Sequence, residues 1–306
     1  MQHRRLGKTD LKVSAVALGA LEIGAKYGIG EECGQVPTHE EASELMLAAI
    51  DAGVTLFDTA GIYGLSEKRI GALPKPARDQ LTLTTKLNIT KGDDGKWLDY
   101  ATHRPFDSIR QCIDHQVRRS LHNLNVEVID VMQLHGLPDE AIHDEVTQSL
   151  VAHVDAGRIR FLGAYCGGDA IPRLVDSGAY STVQLAYNML DQREREAGLK
   201  LAEQHDLGVL IRIPLALGIL ADKVERLDEQ RRQRFSTWLD ALRQRLPKGM
   251  TVPEAALRFI LSAPVVGSTL CGTRRPAHIR ENAAAGDGEP LPRDILDWLH
   301  GLAARN

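Results

Sequence analysis

A regular alternation of short apolar runs with longer amphipathic segments constrains this fold most. Eight strand-then-helix units follow one another along the chain, and a further helix is predicted near residues 294–303. The predicted strands cover residues 11–19, the run that ends at Asp58, and residues 81–87, 128–135, 161–166, 182–189, 208–215 and 265–270. This pattern predicts an α/β protein with a single (β/α)₈ TIM barrel, in which the carboxyl ends of the strands gather at one mouth.

The length and composition agree with one large core. At 306 residues, with 43% hydrophobic and 25% charged residues, the chain can bury a barrel of this size. We expect residues 1–306 to form one domain, with a helical insertion after strand seven at about 222–249. A doubly wound dinucleotide-binding fold is the alternative, but its glycine-rich turn is missing. The nearest string, residues 28–33, has Cys33 in place of the third glycine and does not lie between a strand and a helix.

Two segments carry clear sequence signals of helix formation. Thr38 and Glu41 have the spacing of a capping box at the start of the first helix, and Gly53 is predicted to end that helix. Residues 107–124 are predicted to form a long helix with one apolar face.

Charge and cysteine usage exclude several classes of function. The net charge of -4 provides no basic surface for nucleic acid, and no apolar run approaches the length of a membrane span. The four cysteines lack a C-x-x-C pair, and the amino-terminal segment lacks the apolar core of a signal peptide. We therefore expect a soluble, cytoplasmic protein that acts on a small molecule, without a nucleic-acid or membrane partner.

Polar residues end or follow three consecutive predicted strands. Asp58 ends one strand and Tyr63 follows it in a glycine-containing loop, while Lys86 and His135 lie at the ends of the next two strands. In a parallel barrel these strand ends converge. We therefore expect the four side chains to meet, although each of them alone would be ordinary at a protein surface.

A metal-dependent hydrolase is another enzyme class that uses a barrel, but no H-x-H ends the first strand and no close group of histidines and carboxylates follows. We expect no metal site.

The chain resembles the aldo-keto reductase superfamily over nearly its whole length. The resemblance is carried by the strings FDTAGIYGLSEKRIG, TTKL, VIDVMQLH, GRIRFLGAY, VQLAYNMLD, GVLIRIPL and CGTRRPAHIREN. It implies a catalytic tetrad of Asp58, Tyr63, Lys86 and His135, with Tyr63 as the general acid that protonates a carbonyl oxygen and His135 orienting that carbonyl. A phenol titrates near ~10, and a neighbouring ammonium lowers this pKa, so Lys86 is expected to acidify Tyr63 while Asp58 keeps Lys86 charged.

The resemblance also implies an NADP(H) site. Gln184 matches the residue that binds the nicotinamide carboxamide, and Arg274 is the candidate for a 2′-phosphate contact, which favours NADP(H) over NAD(H). The further cofactor-binding residues implied by the resemblance are Arg212, Leu215, Gly218, Gly272, Thr273, His278, Glu281 and Asn282.

The chain departs from the pattern of the family in two ways. Tyr165 and Cys166 stand where a Ser-Asn pair usually contacts the carboxamide, and Arg212 stands where many relatives have an aromatic ring. A positive charge at position 212 is expected to disfavour an oxidised nicotinamide or to bind an anionic part of the substrate.

The sequence therefore predicts an NADPH-dependent carbonyl reductase for an aldehyde or ketone. Two alternatives remain open: a weakly active NADP(H)-binding redox-sensing module, and a Schiff-base lyase in which Lys86 attacks a carbonyl. The substrate, the direction of the reaction and the oligomeric state are left undetermined. We expect the substrate to contact residues 21–37, 88–104 and 222–249 and the tail of the chain, with Trp97 and Trp238 either over the pocket or packing a loop.

Overall fold

The computed structural model describes residues 1–27, 35–221 and 224–303. Eight parallel strands close into a barrel, as the sequence predicts. In chain order these strands are β3 (Val16–Gly19), β4 (Leu56–Asp58), β5 (Thr82–Leu87), β9 (Ile129–His135), β10 (Ile159–Tyr165), β11 (Tyr180–Ala186), β12 (Gly208–Arg212) and β13 (Val266–Cys271). Among the described residues, five further strands of two or three residues lie outside the barrel: β1 (His3–Arg5), β2 (Lys12–Ser14), β6 (Thr90–Lys91), β7 (Trp97–Asp99) and β8 (Arg104–Phe106).

The helices of the described residues follow these strands along the chain. They are α1 (His39–Asp51), α2 (Ser66–Gly71), α3 (Lys75–Arg78), α4 (Ile109–Leu124), α5 (Glu140–Asp155), α6 (Ile171–Asp176), α7 (Gly198–Gln204), α8 (Glu229–Arg243), α9 (Val252–Leu261), α10 (Pro276–Ala284) and α11 (Arg293–Ala303). The capping box of α1 is confirmed, because Glu41 N donates to Thr38 Oγ1 at 3.2 Å and Thr38 N donates to a Glu41 carboxylate oxygen at 2.7 Å. Gly53 follows the end of α1 with a φ of 83°, a backbone conformation that glycine adopts at little cost.

The inner surface of the barrel changes from apolar to polar toward the carboxyl ends of the strands. Leu56, Val131 and Leu210 belong to a buried cluster inside the barrel. Because side chains alternate along a strand, the residues two positions further on, Asp58, Gln133 and Arg212, face the same side. The apolar interior is therefore capped by polar groups at the mouth.

The predicted first strand, residues 11–19, is in fact two strands. β2 pairs antiparallel with β1, and only β3 belongs to the barrel. The break lies at Ala15, directly after Ser14, whose side chain donates to Val16 O at 2.7 Å and accepts from Thr55 N at 3.0 Å. Local bonds of this kind compete with the regular ladder of a strand, and the sequence pattern did not reveal them.

The predicted loop at residues 88–104 contains a small antiparallel sheet formed by β6, β7 and β8. We call residues 88–106 the flap, because they leave the barrel directly after Leu87, the last residue of β5. Its strands have only two or three residues each, which is too short for a period-2 pattern to be recognised in the sequence.

Three predictions fall wholly or partly outside the described residues, and one of them is the substrate-contacting segment 21–37, of which residues 28–34 are not described. The glycine-containing string at residues 28–33 lies entirely outside the described residues, as do Asp222 and Lys223 at the start of the predicted insertion. The remainder of residues 222–249 contains α8, whose Asp228 side chain caps the helix by accepting from Arg231 N at 2.9 Å.

Candidate active site

An ion pair lies at the centre of the mouth. Lys86 Nζ lies 2.5 Å from Asp58 Oδ2 and 2.9 Å from the carbonyl oxygen of Thr59, and both charged side chains are almost completely buried. The pair forms because β4 and β5 are neighbours in the barrel, with Asp58 in register with Thr84. Lys86 is thus held at a fixed position by a carboxylate and a backbone carbonyl.

The second oxygen of Asp58 accepts three further hydrogen bonds. Asp58 Oδ1 lies 2.6 Å from Thr84 Oγ1, 3.0 Å from Gln133 Nε2 and 3.1 Å from Gln184 Nε2. A buried carboxylate is tolerated when its lone pairs are satisfied in this way. Gln133 was not identified from the sequence, although a glutamine two residues before His135 in an otherwise apolar strand is a detectable signal. Gln184, expected to bind a carboxamide, is 3% exposed and bonded to Asp58 through Nε2.

The loop that carries Tyr63 is held by backbone contacts. Tyr63 N donates to Ala60 O at 3.0 Å, and Ser66 N donates to Tyr63 O at 3.1 Å. Residues 21–25 pack against this loop so closely that a Cβ atom on Gly24 would overlap Tyr63 O, and one on Gly64 would overlap Gly24 O. The position of the phenol is therefore fixed by a contact between two loops, which only glycine permits.

The four residues of the predicted tetrad come together. Lys86 Nζ lies 5.3 Å from the ring centroid of Tyr63, and the rings of Tyr63 and His135 are 5.7 Å apart in an edge-on arrangement. His135 Nδ1 is buried and has no hydrogen-bond partner among the described residues. The site thus offers a phenol and an imidazole side by side.

Burial dominates the ionisation of these groups. It raises the pKa of the Tyr63 phenol above its usual range, and the negative charge of Asp58 adds to the rise. The expectation that Lys86 acidifies Tyr63 is therefore wrong for this structure, because Asp58 neutralises the ammonium at 2.5 Å and desolvation of the phenolate prevails. Burial also lowers the pKa of Lys86, an effect that Asp58 opposes.

His135 is neutral near pH 7. Burial lowers its pKa to about 4, and the positive charges of Lys86 and Arg212 act in the same direction. A neutral imidazole can donate one hydrogen bond without bringing a further charge to the mouth.

The two departures from the family pattern contact each other. The guanidinium of Arg212 lies 4.2 Å from the ring centroid of Tyr165, and the ring of Tyr165 lies 5.8 Å from that of His135. Arg212 Nε is buried without a hydrogen-bond partner among the described residues. Cys166 packs against the core, and burial raises the pKa of its thiol to about 12, so it is a poor nucleophile.

The loop after β12 has an unusual backbone. Ile213, Ala216 and Leu217 all have positive φ values, of 52°, 48° and 58°. Each such residue is less stable by about 1–2 kcal/mol than one in an ordinary conformation, and such strain is typical of functional loops. The loop is braced by Asn188, whose Nδ2 donates to Ile213 O at 3.1 Å, and by Gly218 N, which donates to Leu215 O at 2.8 Å. Leu215 and Gly218 thus lie in a pre-shaped turn.

The remaining predicted cofactor residues follow β13 and continue into α10. Thr273 is buried, and its Oγ1 accepts from Arg275 N at 3.1 Å and lies 3.5 Å from His278 Nδ1. A Cβ atom on Gly272 would come within 3.0 Å of Glu22 Oε1, so glycine keeps this turn close to the first loop. The exposure of the other members varies: Arg274 is half-buried, Glu281 is exposed and Asn282 is buried.

Trp97 and Trp238 both contact other side chains of the protein. Trp97 lies in the flap, with Lys91 Nζ 5.2 Å from its ring centroid. Trp238 stacks on Trp298 with ring centroids 6.3 Å apart, so it joins α8 to α11.

Among the described residues, no helix is both long and apolar enough to cross a membrane.

The chain is similar in sequence and structure to known aldo/keto reductases. The model of the Aldo/keto reductase family matches residues 15–297. The uncharacterized oxidoreductase YqkF of Bacillus subtilis is 26% identical over 98% of this chain and 95% of its own length. The NADH-specific methylglyoxal reductase of Escherichia coli is 27% identical over 93% of both chains. Among solved structures, the holo form of the aldo-keto reductase AKR11C1 from Bacillus halodurans covers 99% of this chain and 96% of its own, with 26% identity and a TM-score of 0.81.

Proposed function

The chain belongs to the aldo/keto reductase family, and we propose that it is a carbonyl reductase that uses NADPH and Tyr63 to convert an aldehyde or ketone to an alcohol. The observation that carries this proposal is the cluster at the mouth, in which Tyr63 and His135 lie beside each other over the buried pair of Lys86 and Asp58. A neutral phenol and a neutral imidazole side by side can give a proton and a hydrogen bond to one carbonyl oxygen.

The chemistry of each side chain follows from its surroundings. Because burial raises its pKa, Tyr63 is protonated at neutral pH and can give that proton to the carbonyl oxygen. His135 is neutral and donates a hydrogen bond that orients the same oxygen. A bound nicotinamide nucleotide supplies the hydride that the carbonyl carbon accepts.

The tetrad is arranged around the ion pair of Lys86 and Asp58, which lies beneath the ring of Tyr63. Lys86 Nζ lies 5.3 Å from the ring centroid of Tyr63, and Asp58 holds the ammonium in place. The phenol regains its proton from solvent before the next turnover. In the opposite direction Tyr63 must first lose its proton, so alcohol oxidation is expected to increase with pH well into the alkaline range.

Several features of the chain fit a dinucleotide. The strained loop around Gly218 is shaped for a group that approaches its backbone, and Arg212 has an unused buried Nε. We propose that Gln184 and Arg212 hold the nicotinamide end, Leu215 and Gly218 the diphosphate, and the segment from Gly272 to Asn282 the adenosine end.

Arg274 favours NADP(H) within this site, because a guanidinium binds a 2′-phosphate bidentately. The name of the Escherichia coli relative indicates that NADH is also used among similar proteins, so the preference requires a direct test. The free energy of binding should be more favourable for NADPH than for NADH by the contribution of one or two charge-assisted hydrogen bonds, each about 1.5–3 kcal/mol. Titration by tryptophan fluorescence measures both affinities. Equal affinities, or an unchanged preference in Arg274→Ala, would remove this part of the proposal.

The reaction itself is tested by mixing the protein with NADPH or NADH and a panel of aldehydes, ketones, keto-sugars and quinones. Tyr63→Phe should lower the rate on the best substrate by about 10²–10⁴-fold, because general acid catalysis contributes that much. The affinity for NADPH should change little, since the phenol acts on the transition state. Wild-type rates in Tyr63→Phe would exclude Tyr63 as the acid.

The lyase alternative is disfavoured by the state of Lys86. Its side chain is 1% exposed, and its amine is hydrogen-bonded to Asp58 and the Thr59 carbonyl, whereas a Schiff base requires a free amine that can reach the substrate. Borohydride added with a carbonyl substrate should leave Lys86 unmodified in mass spectrometry, and a stable adduct on Lys86 would favour the lyase.

A further inference from the structure

A second buried ion pair ties the flap to α4. Asp99 on β7 is fully buried, and Arg119 Nη1 lies 2.6 Å from its Oδ1 and 2.5 Å from its Oδ2. Ala101 N donates to Asp99 Oδ1 at 3.0 Å, and His115 Nε2 lies 3.3 Å from Oδ2. A buried carboxylate with a cationic partner fixes the geometry of both elements, because separating the pair would leave a charge without compensation.

The base and the far end of the flap are also attached to α4. At the base, Gln116 exchanges two hydrogen bonds with the backbone of Asn88, of 3.1 and 2.9 Å. At the far end, the rings of Phe106 and His115 lie 5.0 Å apart. The flap is therefore joined to α4 at its first and last residues and, through Asp99 and Arg119, between them.

The same guanidinium lies against the loop of Tyr63. A Cβ atom on Gly61 would overlap Arg119 Nη2. Gly61 N donates to the carbonyl oxygen of Lys86 at 3.1 Å, and Gly61 lies two residues before Tyr63. Arg119 is thus in contact with the flap through Asp99 and with the catalytic loop through Gly61.

We propose that Arg119 is a positioning residue that sets the flap and the Tyr63 loop relative to each other. The flap starts two residues after Lys86, so it stands at the mouth where a carbonyl substrate must enter. A single side chain that contacts both elements keeps the proton donor at a constant distance from a substrate held by the flap. This inference rests on the carbonyl reduction proposed above, and Arg119 itself does not contact the reacting atoms.

Kinetics of four variants test the role. Arg119→Met, Asp99→Asn and Gly61→Ala should each lower kcat, by up to about 10²-fold, since small misplacements of catalytic groups have effects of that size. The affinity for NADPH should stay within about twofold. Arg118→Met is the matched control: Arg118 is the adjacent residue of α4 and pairs with Asp114 in solvent at 2.8 Å, so its removal should leave kcat unchanged.

A double variant separates positioning from general damage to the fold. In Gly61→Ala the new methyl group must push the guanidinium away, whereas in Gly61→Ala/Arg119→Ala that guanidinium is absent. The double variant should therefore be no slower than Arg119→Ala alone. If the two losses in kcat multiplied, Gly61 and Arg119 would act independently and the proposal would be overturned.

Amide hydrogen exchange provides a readout that does not need turnover. In Arg119→Met, exchange should become faster both in the flap and in residues 60–65, while Arg118→Met should match the wild type. Faster exchange in the flap alone, with residues 60–65 unchanged, would show that Arg119 only holds the flap and would overturn the coupling. Because exchange is measured on the protein itself, failure to reduce any carbonyl would count against the proposed function and not against this inference.

Discussion

At the scale of single residues, Asp58 organises the mouth. Its two oxygens accept from Lys86, Thr84, Gln133 and Gln184, which reach it from three strands of the barrel, β5, β9 and β11. Such a carboxylate both balances the buried ammonium and orients two amide side chains. Its removal should therefore affect stability as well as catalysis.

The first prediction concerns this charge. Asp58→Asn keeps the shape of the side chain but leaves Lys86 buried without a counter-ion, which should lower the free energy of unfolding by about 3–5 kcal/mol. The double variant Asp58→Asn/Lys86→Met should recover part of that loss, because no charge then remains to be buried. Urea unfolding of the wild type, both single variants and the double variant measures the coupling, and a double variant less stable than Asp58→Asn would contradict it.

The second prediction concerns His135. Its pKa in the folded protein is about 4, below the value of about 6.5 in an unfolded chain. Between these two values the unfolded state binds more protons, so stability is retained above pH 6.5 and decreases as the pH falls toward 4. His135→Gln should show a weaker decrease over this range. Nuclear magnetic resonance titration of the imidazole gives the pKa directly, and a value near 6.5 would refute the assignment.

At the scale of elements, the decisive feature is the contact between residues 21–25 and the loop after β4. Leu65 N donates to Gly24 O at 3.1 Å, and Ser66 Oγ donates to Ala20 O at 2.7 Å. Two loops that follow neighbouring strands thus fix each other, and glycine at positions 24 and 64 allows their backbones to touch. The flap adds a third element, which is held by α4.

The third prediction uses the glycine at position 64. Gly64 has a φ of 57°, and a Cβ atom there would overlap Gly24 O, so Gly64→Ala should move the loop and lower kcat by ~10-fold or more. Gly157→Ala is the control, because Gly157 has a similar φ of 69° but, within the described part of the chain, no neighbouring atom within 4 Å of a Cβ. Backbone strain should lower stability by about 1 kcal/mol in both variants, and the overlap with Gly24 O should lower it further in Gly64→Ala. Equal kcat values for the two variants would show that the contact between the loops does not position Tyr63.

At the scale of the whole molecule, the barrel is closed at the end opposite the mouth. Leu6 follows β1 and is fully buried in the cluster inside the barrel, and Cβ atoms on Gly208 and Gly267 would come within 2.7 and 2.8 Å of its side chain. Arg4 is held beside it by carbonyl oxygens of Leu261 and Val266 at 2.8 and 3.1 Å. Stability and chemistry are thus separated at the two ends of the barrel.

The fourth prediction follows from this separation. Leu6→Ala should lower the free energy of unfolding by about 2–5 kcal/mol, because it leaves a cavity among small, rigid neighbours. The value of kcat at a temperature where the variant is folded should not change. Calorimetry and steady-state kinetics on the same preparation test both parts, and a large loss of kcat would mean that the two ends are coupled.

Much of the fold and three residues of the tetrad follow from the sequence, because they depend on the periodicity of the strands. Apolar alternation along each strand predicts which residues face the core, and the count of strand-helix units predicts the closed barrel. Asp58, Lys86 and His135 were recognised as polar residues at strand ends, and parallel strands bring such ends together. The assignment of the whole chain to one domain and the roles of the cofactor residues stay predictions.

Only the tertiary structure decided how those residues are used. The pKa of Tyr63 depends on burial and on a carboxylate that already neutralises Lys86, and neither can be obtained from spacing. The stacking of Arg212 on Tyr165 joins strands that are not neighbours, and the contact of Arg119 with Asp99 and Gly61 joins three segments far apart in the chain. Local sequence determines the conformation of each segment. The distances between segments, the exclusion of water and the resulting pKa values of buried groups are set only when the barrel closes.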